Sequence, residues 1–185
     1  MKVSDINLPN RITLGRILLI PLFVLLALWQ FPGHDVWAAL VFLLAAFSDT
    51  LDGRIARSRN LITNLGKFLD PLADKMLVCS AYIVLVSLGR ISAWMVIIIV
   101  CREFAVSGMR ILAADAGVVI AASILGKIKT SLQMASIVLL MLSPLSIWPQ
   151  PLYSFLTGLL VWLALLATVI SGVDYLQKGA GFIRG

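Results

Sequence analysis

Long apolar runs separated by short polar stretches set the pattern of this chain. Six runs stand out, at about Ile12–Trp29, Val36–Arg57, Leu65–Leu88, Ile91–Ala113, Ala121–Leu142 and Leu152–Tyr175. Each is close to the ~20 residues with which an α-helix crosses the hydrocarbon core of a bilayer. A helix also satisfies its own backbone N–H and C=O groups where no water can. The pattern therefore predicts an all-α, polytopic membrane protein with six transmembrane helices. Residues 1–10 mix charge with Val3, Ile6 and Leu8 and carry Pro9, which predicts a short N-terminal interfacial segment. The first span has a basic lead but no small-residue cleavage pattern before Phe31-Pro32-Gly33, so it reads as a retained anchor.

Composition agrees with the periodicity. Hydrophobic residues make up 61% of the chain and charged residues 13%, and the mean hydropathy is +1.02, values that exclude an ordinary soluble core. The 185 residues leave room for one domain, spanning residues 1–185. The net charge of +6 is scattered between apolar spans, so it points to anionic lipid head groups and phosphorylated substrates, not to nucleic acid.

The basic residues also set an orientation. Lys2, Arg11 and Arg16 lie at the start; Arg54, Arg57, Arg59 and Lys67 surround the second loop; Arg110, Lys127 and Lys129 surround the fourth; Lys178 and Arg184 close the chain. The alternate loops hold Arg90 alone. Both termini and the second loop are expected on the cytoplasmic side. Cys79 and Cys101 lack metal-ligand spacing and read as small buried hydrophobes, and His34 in its short loop receives no role.

The informative polar stretch runs from Asp49 to Asp74 and holds four of the nine acidic residues, with apolar runs on both sides. Carboxylates inside a spanning segment are costly and need a positive partner. Hard divalent cations, which prefer several carboxylate oxygens, would supply one. Asp49 and Asp52 are three apart and Asp70 and Asp74 four apart, so each pair occupies one face of its helix. If one helix leaves the membrane near Arg57 and the next re-enters near Gly66, Asp49 and Asp74 lie ~12 Å below their helix ends and Asp52 and Asp70 roughly 6–8 Å. Two matched depths suit a pair of metals, and Gly53 and Ala56 leave room between the acids. A solvated loop in which Arg54, Arg57, Lys67 and Lys75 merely pair with the acids would not account for the flanking apolar runs.

Other polar residues lie inside apolar spans. Glu103, Ser107 and Arg110 fall on one face of the fourth span, where a buried structural pair between Arg102 and Glu103 is the simpler reading of the glutamate. Arg110, Lys127 and Lys129 are expected on the side of the acidic stretch and look like an anion pocket, against the plainer reading of a solvated basic loop. Thr13 and Arg16, with Asn10, could close one wall of it; Arg16 could equally extend to lipid head groups.

The pattern Asp49-x2-Asp52-Gly53-x2-Ala56-Arg57-x8-Gly66-x3-Asp70-x3-Asp74 resembles the signature of the CDP-alcohol phosphatidyltransferases, with every signature position present. The resemblance implies two divalent cations, magnesium or manganese, held by Asp49, Asp52, Asp70 and Asp74. It also implies a cytidine and diphosphate site at Gly53, Ala56, Arg57 and Gly66, and Asp74 as the catalytic base. The stretches Asn7–Arg16, Arg102–Arg110 and Gly126–Thr130 resemble the branch of the family whose acceptor is sn-glycerol 3-phosphate. That branch implies a homodimer in the bacterial cytoplasmic membrane. Its reaction moves a phosphatidyl group from CDP-diacylglycerol to glycerol 3-phosphate and releases CMP, with Arg110, Lys127, Lys129, Thr13 and Arg16 holding the acceptor phosphate. Sister transferases that use inositol phosphate, serine or phosphatidylglycerol are the nearest alternatives. A divalent-cation transporter is the alternative of another class, disfavoured because all four acids lie on one side.

Overall fold

The computed structural model describes the backbone of residues 8–58, 64–115, 124–145 and 149–183, and the side chains of 12–48, 69, 72–113, 124–145 and 149–177. Six α-helices carry it: α1 Leu8–Leu28, α2 His34–Ser58, α3 Asn64–Ser87, α4 Ala93–Asp115, α5 Ile124–Leu142 and α6 Gln150–Ile183. No strand occurs among the described residues. The fold is all-α, compatible with a membrane protein, and its six helices follow the six predicted runs, with two differences at the ends. The helix α1 begins at Leu8, so the last residues of the expected interfacial segment are its first turn, and residues 1–7 lie outside the described residues. The helix α6 runs eight residues past the apolar limit at Tyr175. Helical hydrogen bonding propagates residue by residue and does not stop where hydropathy falls. By length and composition, Ile124–Leu145 and Gln150–Gln177 are apolar enough to cross a bilayer. The ranges Ile12–Leu28 and His34–Ser48 are shorter apolar helices.

The chain packs as two compact units, Met1–Val84 and Leu85–Gly185. In the first, α1 and α2 pair through a short turn in which Gly33 takes φ +79° and His34 N–H donates to Phe31 C=O at 3.1 Å. Their core is small and aromatic: Ala27, Ala38, Ala39 and Ala45 are buried, and the Phe23 and Phe42 rings meet at 5.8 Å. Small residues let the helix backbones approach, which in lipid takes the place of a hydrophobic driving force.

The second unit begins at the C-terminal turn of α3. Gly89, at φ +68°, ends that helix: its N–H donates to Val86 C=O and the Arg90 N–H reaches back to Leu85 C=O, both at 2.9 Å. This is a glycine-capped helix end, and only glycine adopts that backbone conformation without strain. The helices α4 and α5 both pack on α6. In α6, Thr157, Thr168 and Ser171 are buried while Phe155, Leu159, Leu163, Leu166 and Ile170 are exposed. Hydroxyls inside and large apolar side chains outside is the arrangement lipid favours, because the polar groups find partners only within the protein.

Candidate active site

The acidic stretch falls at the ends of two consecutive helices. Asp49, Asp52, Gly53, Ala56 and Arg57 belong to the second half of α2, and Gly66, Asp70 and Asp74 to the first half of α3. Both helices are continuous through the acids, so each pair stays within one turn on a shared face. Asp52 lies six residues before the end of α2 and Asp70 six after the start of α3, about 9 Å in each case. Asp49 and Asp74 are nine and ten residues in, about 14 and 15 Å. The helix boundaries thus leave the two acids of each couple, Asp52 with Asp70 and Asp49 with Asp74, at similar distances from their helix ends. Asp74 is half-buried. The side chains of Asp49, Asp52, Gly53, Ala56, Arg57, Gly66 and Asp70 lie outside the described residues, as do residues 59–63 of the connecting loop. The donor set fits hard divalent cations: four carboxylates in two one-turn pairs offer oxygen ligands only.

Pairing of α1 with α2 brings Arg16 to the edge of this stretch. Its side chain is only 1% exposed, and its Nε donates to Ser48 Oγ at 3.2 Å. Ser48 in turn donates to Ala45 C=O at 2.7 Å, and it immediately precedes Asp49. Arg16 therefore does not extend to the head groups. It is held against α2, and Thr13, one turn earlier, is fully buried on the same side of α1. Sequence reasoning did not identify Ser48. The available signal was a hydroxyl directly before the acidic motif, opposite an arginine in an apolar helix.

The cations of the second unit divide into two kinds. Arg110 and Lys127 are exposed. Lys129 is buried and forms an ion pair with Glu103, to which Arg102 also donates through Nη1 at 3.3 Å. Arg102 continues to α6: its Nη2 donates to Ser171 Oγ at 2.6 Å and its guanidinium lies 5.7 Å from the centre of the Tyr175 ring. Gly172 makes the approach possible, since a Cβ there would stand 2.9 Å from Arg102 Cγ. Glu103 thus joins α4 to α5, and its neighbour Arg102 joins α4 to α6. The expectation that Lys129 would join Arg110 and Lys127 in an open anion pocket meets a different arrangement, because the Lys129 ammonium is engaged inside the helix group. An ionisable group in lipid pairs when a partner is within reach, and Glu103 is within reach. The structural pair between Arg102 and Glu103 is present, enlarged by Lys129. Ser107 donates to Glu103 C=O at 2.6 Å, a bond within α4. The partners Ser171 and Tyr175 carried no sequence signal beyond polarity in an apolar run.

A match to the CDP-alcohol phosphatidyltransferase family covers residues 6–170. A Bacillus subtilis protein named CDP-diacylglycerol–glycerol-3-phosphate 3-phosphatidyltransferase is 46% identical over 93% of this chain and 94% of its own length. A protein of the same name from Rickettsia bellii is 39% identical over 96% of this chain and 97% of its own. A probable phosphatidylglycerophosphate synthase of Mycobacterium tuberculosis is 40% identical, covering 97% of this chain and 84% of the relative. With the acidic signature on α2 and α3 and a likeness running through nearly its whole length, the chain belongs to the CDP-alcohol phosphatidyltransferase family.

Proposed function

We propose that the protein transfers a phosphatidyl group from CDP-diacylglycerol to sn-glycerol 3-phosphate, giving phosphatidylglycerophosphate and CMP in phospholipid biosynthesis. The observation that carries this reading is the pair of carboxylate couples at matched distances from the ends of α2 and α3, together with relatives named for that reaction. Asp49, Asp52, Asp70 and Asp74 would hold two magnesium or manganese ions. When bound, such ions offset negative charge on the diphosphate and on the attacking and leaving oxygens.

The chain's own residues do the rest. Asp74 accepts the proton of the glycerol hydroxyl as its oxygen bonds to the phosphorus of the phosphatidyl group, and the bond from that phosphorus to CMP breaks. Gly53, Ala56, Arg57 and Gly66 receive the cytidine and diphosphate. Arg110 and Lys127, both exposed, hold the acceptor phosphate, Arg110 through parallel N–H bonds and Lys127 as a compact charge. Arg102, Glu103 and Lys129 together carry one net positive charge, so Lys129 adds to the positive potential from within its pair. The family resemblance also assigns Thr13 and Arg16 to the acceptor. The distribution of lysine and arginine supports both termini and the acidic helix ends on the cytoplasmic side of the membrane, and the family resemblance implies a homodimer in the bacterial cytoplasmic membrane.

An acceptor panel tests the reading. Purified protein in detergent is given CDP-diacylglycerol with glycerol 3-phosphate, inositol phosphate, serine or phosphatidylglycerol, and CMP and lipid product are measured. Only glycerol 3-phosphate should yield both. EDTA should stop the reaction and added magnesium or manganese restore it. Full turnover in EDTA would remove the metal ions from the mechanism, and turnover with another acceptor alone would reassign the substrate.

A further inference from the structure

Arg110 and Lys127, the cations assigned to the acceptor phosphate, sit on different helices. Among the described residues, α4 and α5 pack on α6 and hardly on each other. The two run antiparallel. Arg90, just before α4, donates through Nη1 to the last carbonyls of α5, Leu140 at 3.3 Å and Met141 at 2.9 Å. Glu103, farther along α4, instead meets Lys129 in the second turn of α5. Arg110 lies seven residues beyond Glu103, and Lys127 two residues before Lys129. Both therefore stand on the same side of the Glu103–Lys129 contact, Arg110 about 10 Å along α4 and Lys127 about 3 Å along α5.

A phosphate gripped by two cations needs them at one separation, and long side chains lose rotamer freedom when they are held there. Where α4 and α5 pack so little on each other, that separation depends on what ties the helices together. Glu103 is 9% exposed and Lys129 5%. The Lys129 ammonium and Arg102 Nη1 both donate to one carboxylate oxygen, Glu103 Oε1. Arg102 is itself fixed on α6, through Ser171 and its close approach over Gly172. In lipid no hydrophobic force draws one helix onto another, so a buried charged link of this kind decides where α5 stands. Seven residues are nearly two full turns, which puts Arg110 on the same face of α4 as Glu103. The face that Lys129 meets is thus the face that carries Arg110.

We propose that Glu103 is a positioning residue of the acceptor site. By holding Lys129, and with it α5, against α4, it sets the separation at which Arg110 and Lys127 grip a phosphate-bearing acceptor. This inference rests on the reading of those two cations as acceptor ligands. Glu103 touches no substrate, and as an anion it would repel one. It acts through the helices it joins. The link does not require that Glu103 be the only partner of Lys129; it requires that this contact hold α5 in place.

The test follows CMP release by the full chain in detergent, varying glycerol 3-phosphate at saturating CDP-diacylglycerol and then the reverse. Glu103→Gln keeps the side-chain shape and removes the charge. Its KM for glycerol 3-phosphate should rise roughly 10-fold, with kcat and the KM for CDP-diacylglycerol within about twofold of wild type. A merely structural loss would lower kcat, through less folded enzyme, and leave KM where it was. Glu103→Asp, which restores the charge, should bring KM back toward the wild-type value. Lys129→Met breaks the link from α5 and leaves Glu103 paired with Arg102, so its KM decides the matter even if Glu103→Gln does not fold. The double variant should be no worse than the worse single one, because both remove the same link. An unchanged KM overturns the proposal. So does a KM that falls in Glu103→Gln, which would mean that the glutamate withholds Lys129 from the acceptor, and so do losses that multiply in the double variant. A wild type that turns over another acceptor and not glycerol 3-phosphate removes the acceptor reading, and this inference with it. Turnover of glycerol 3-phosphate by wild type, beside variants of unchanged KM, removes this inference alone.

Discussion

The pair of helices α1 and α2 and the group formed by α4, α5 and α6 are held by different forces. Between α1 and α2 the contact is dry. Buried alanines and the rings of Phe23 and Phe42 fill it, and Arg16 to Ser48 is a polar tie near one end. Around α6 polar ties join the apolar packing: Glu103 with Lys129 and Arg102, Arg102 with Ser171, Gln133 with Thr168 at 3.1 Å, and Tyr153 with Leu139. Close apolar packing fixes the distance and register of α2, the helix that carries Asp49 and Asp52. Polar ties fix where charge sits, which suits the part of the chain that carries Arg102, Arg110, Lys127 and Lys129. The first unit carries all four acids of the signature, and the second carries Arg102, Arg110, Lys127 and Lys129.

Six substitutions, in four groups, would break or sharpen this contrast. The largest effect is expected at the carboxylates. Asp49→Ala or Asp70→Ala should abolish both turnover and divalent-cation binding, measured by CMP release and metal titration, while the helical circular dichroism stays unchanged. Persistent activity in either variant would detach the chemistry from the first unit.

Next comes Asp74→Asn. Loss of a general base costs ~10²–10⁴-fold in kcat. Because Asp74 would also be a metal ligand, cation affinity is measured on the same sample. A near-normal kcat with metal bound would leave proton transfer to some other group.

On the cationic side, Arg110→Gln or Lys127→Gln should lower kcat/KM for glycerol 3-phosphate by roughly 10- to 100-fold, as expected for a charged hydrogen bond to phosphate. The apparent affinity for CDP-diacylglycerol should hardly move. A change of less than about twofold at moderate salt would reduce both residues to orientation signals.

The smallest effect belongs to a single polar tie. Thr168→Val keeps the shape and removes the hydroxyl that accepts from Gln133 Nε2. Hydrogen bonds between helices in lipid average about 0.6 kcal/mol in double-mutant cycles. A shift of that size in a detergent unfolding curve, with activity intact, would mark this tie as one among many. A collapse of the second unit would instead mark it as indispensable.

The sequence by itself determined the six helices, because runs of about twenty apolar residues in a bilayer have few other ways to satisfy the backbone. It also determined where the acids fall along their helices. With α2 and α3 helical, the spacings of three and four put each carboxylate pair on one face, and the helix bounds leave Asp52 and Asp70, like Asp49 and Asp74, at similar distances from their helix ends. Only the tertiary structure decided the partners of the buried charges. Glu103 and Lys129 are 26 residues apart, Arg16 and Ser48 are 32, and Arg102 and Ser171 are 69. No periodicity links residues across such separations. A cation in an apolar span announces that it needs a partner, but helix packing selects which acid or hydroxyl comes within reach. For that reason Lys129 and Lys127, two residues apart on one helix, separate into a buried ion pair and an exposed charge. The 100° turn per residue points them to different surroundings, and the sequence does not say which side faces α4.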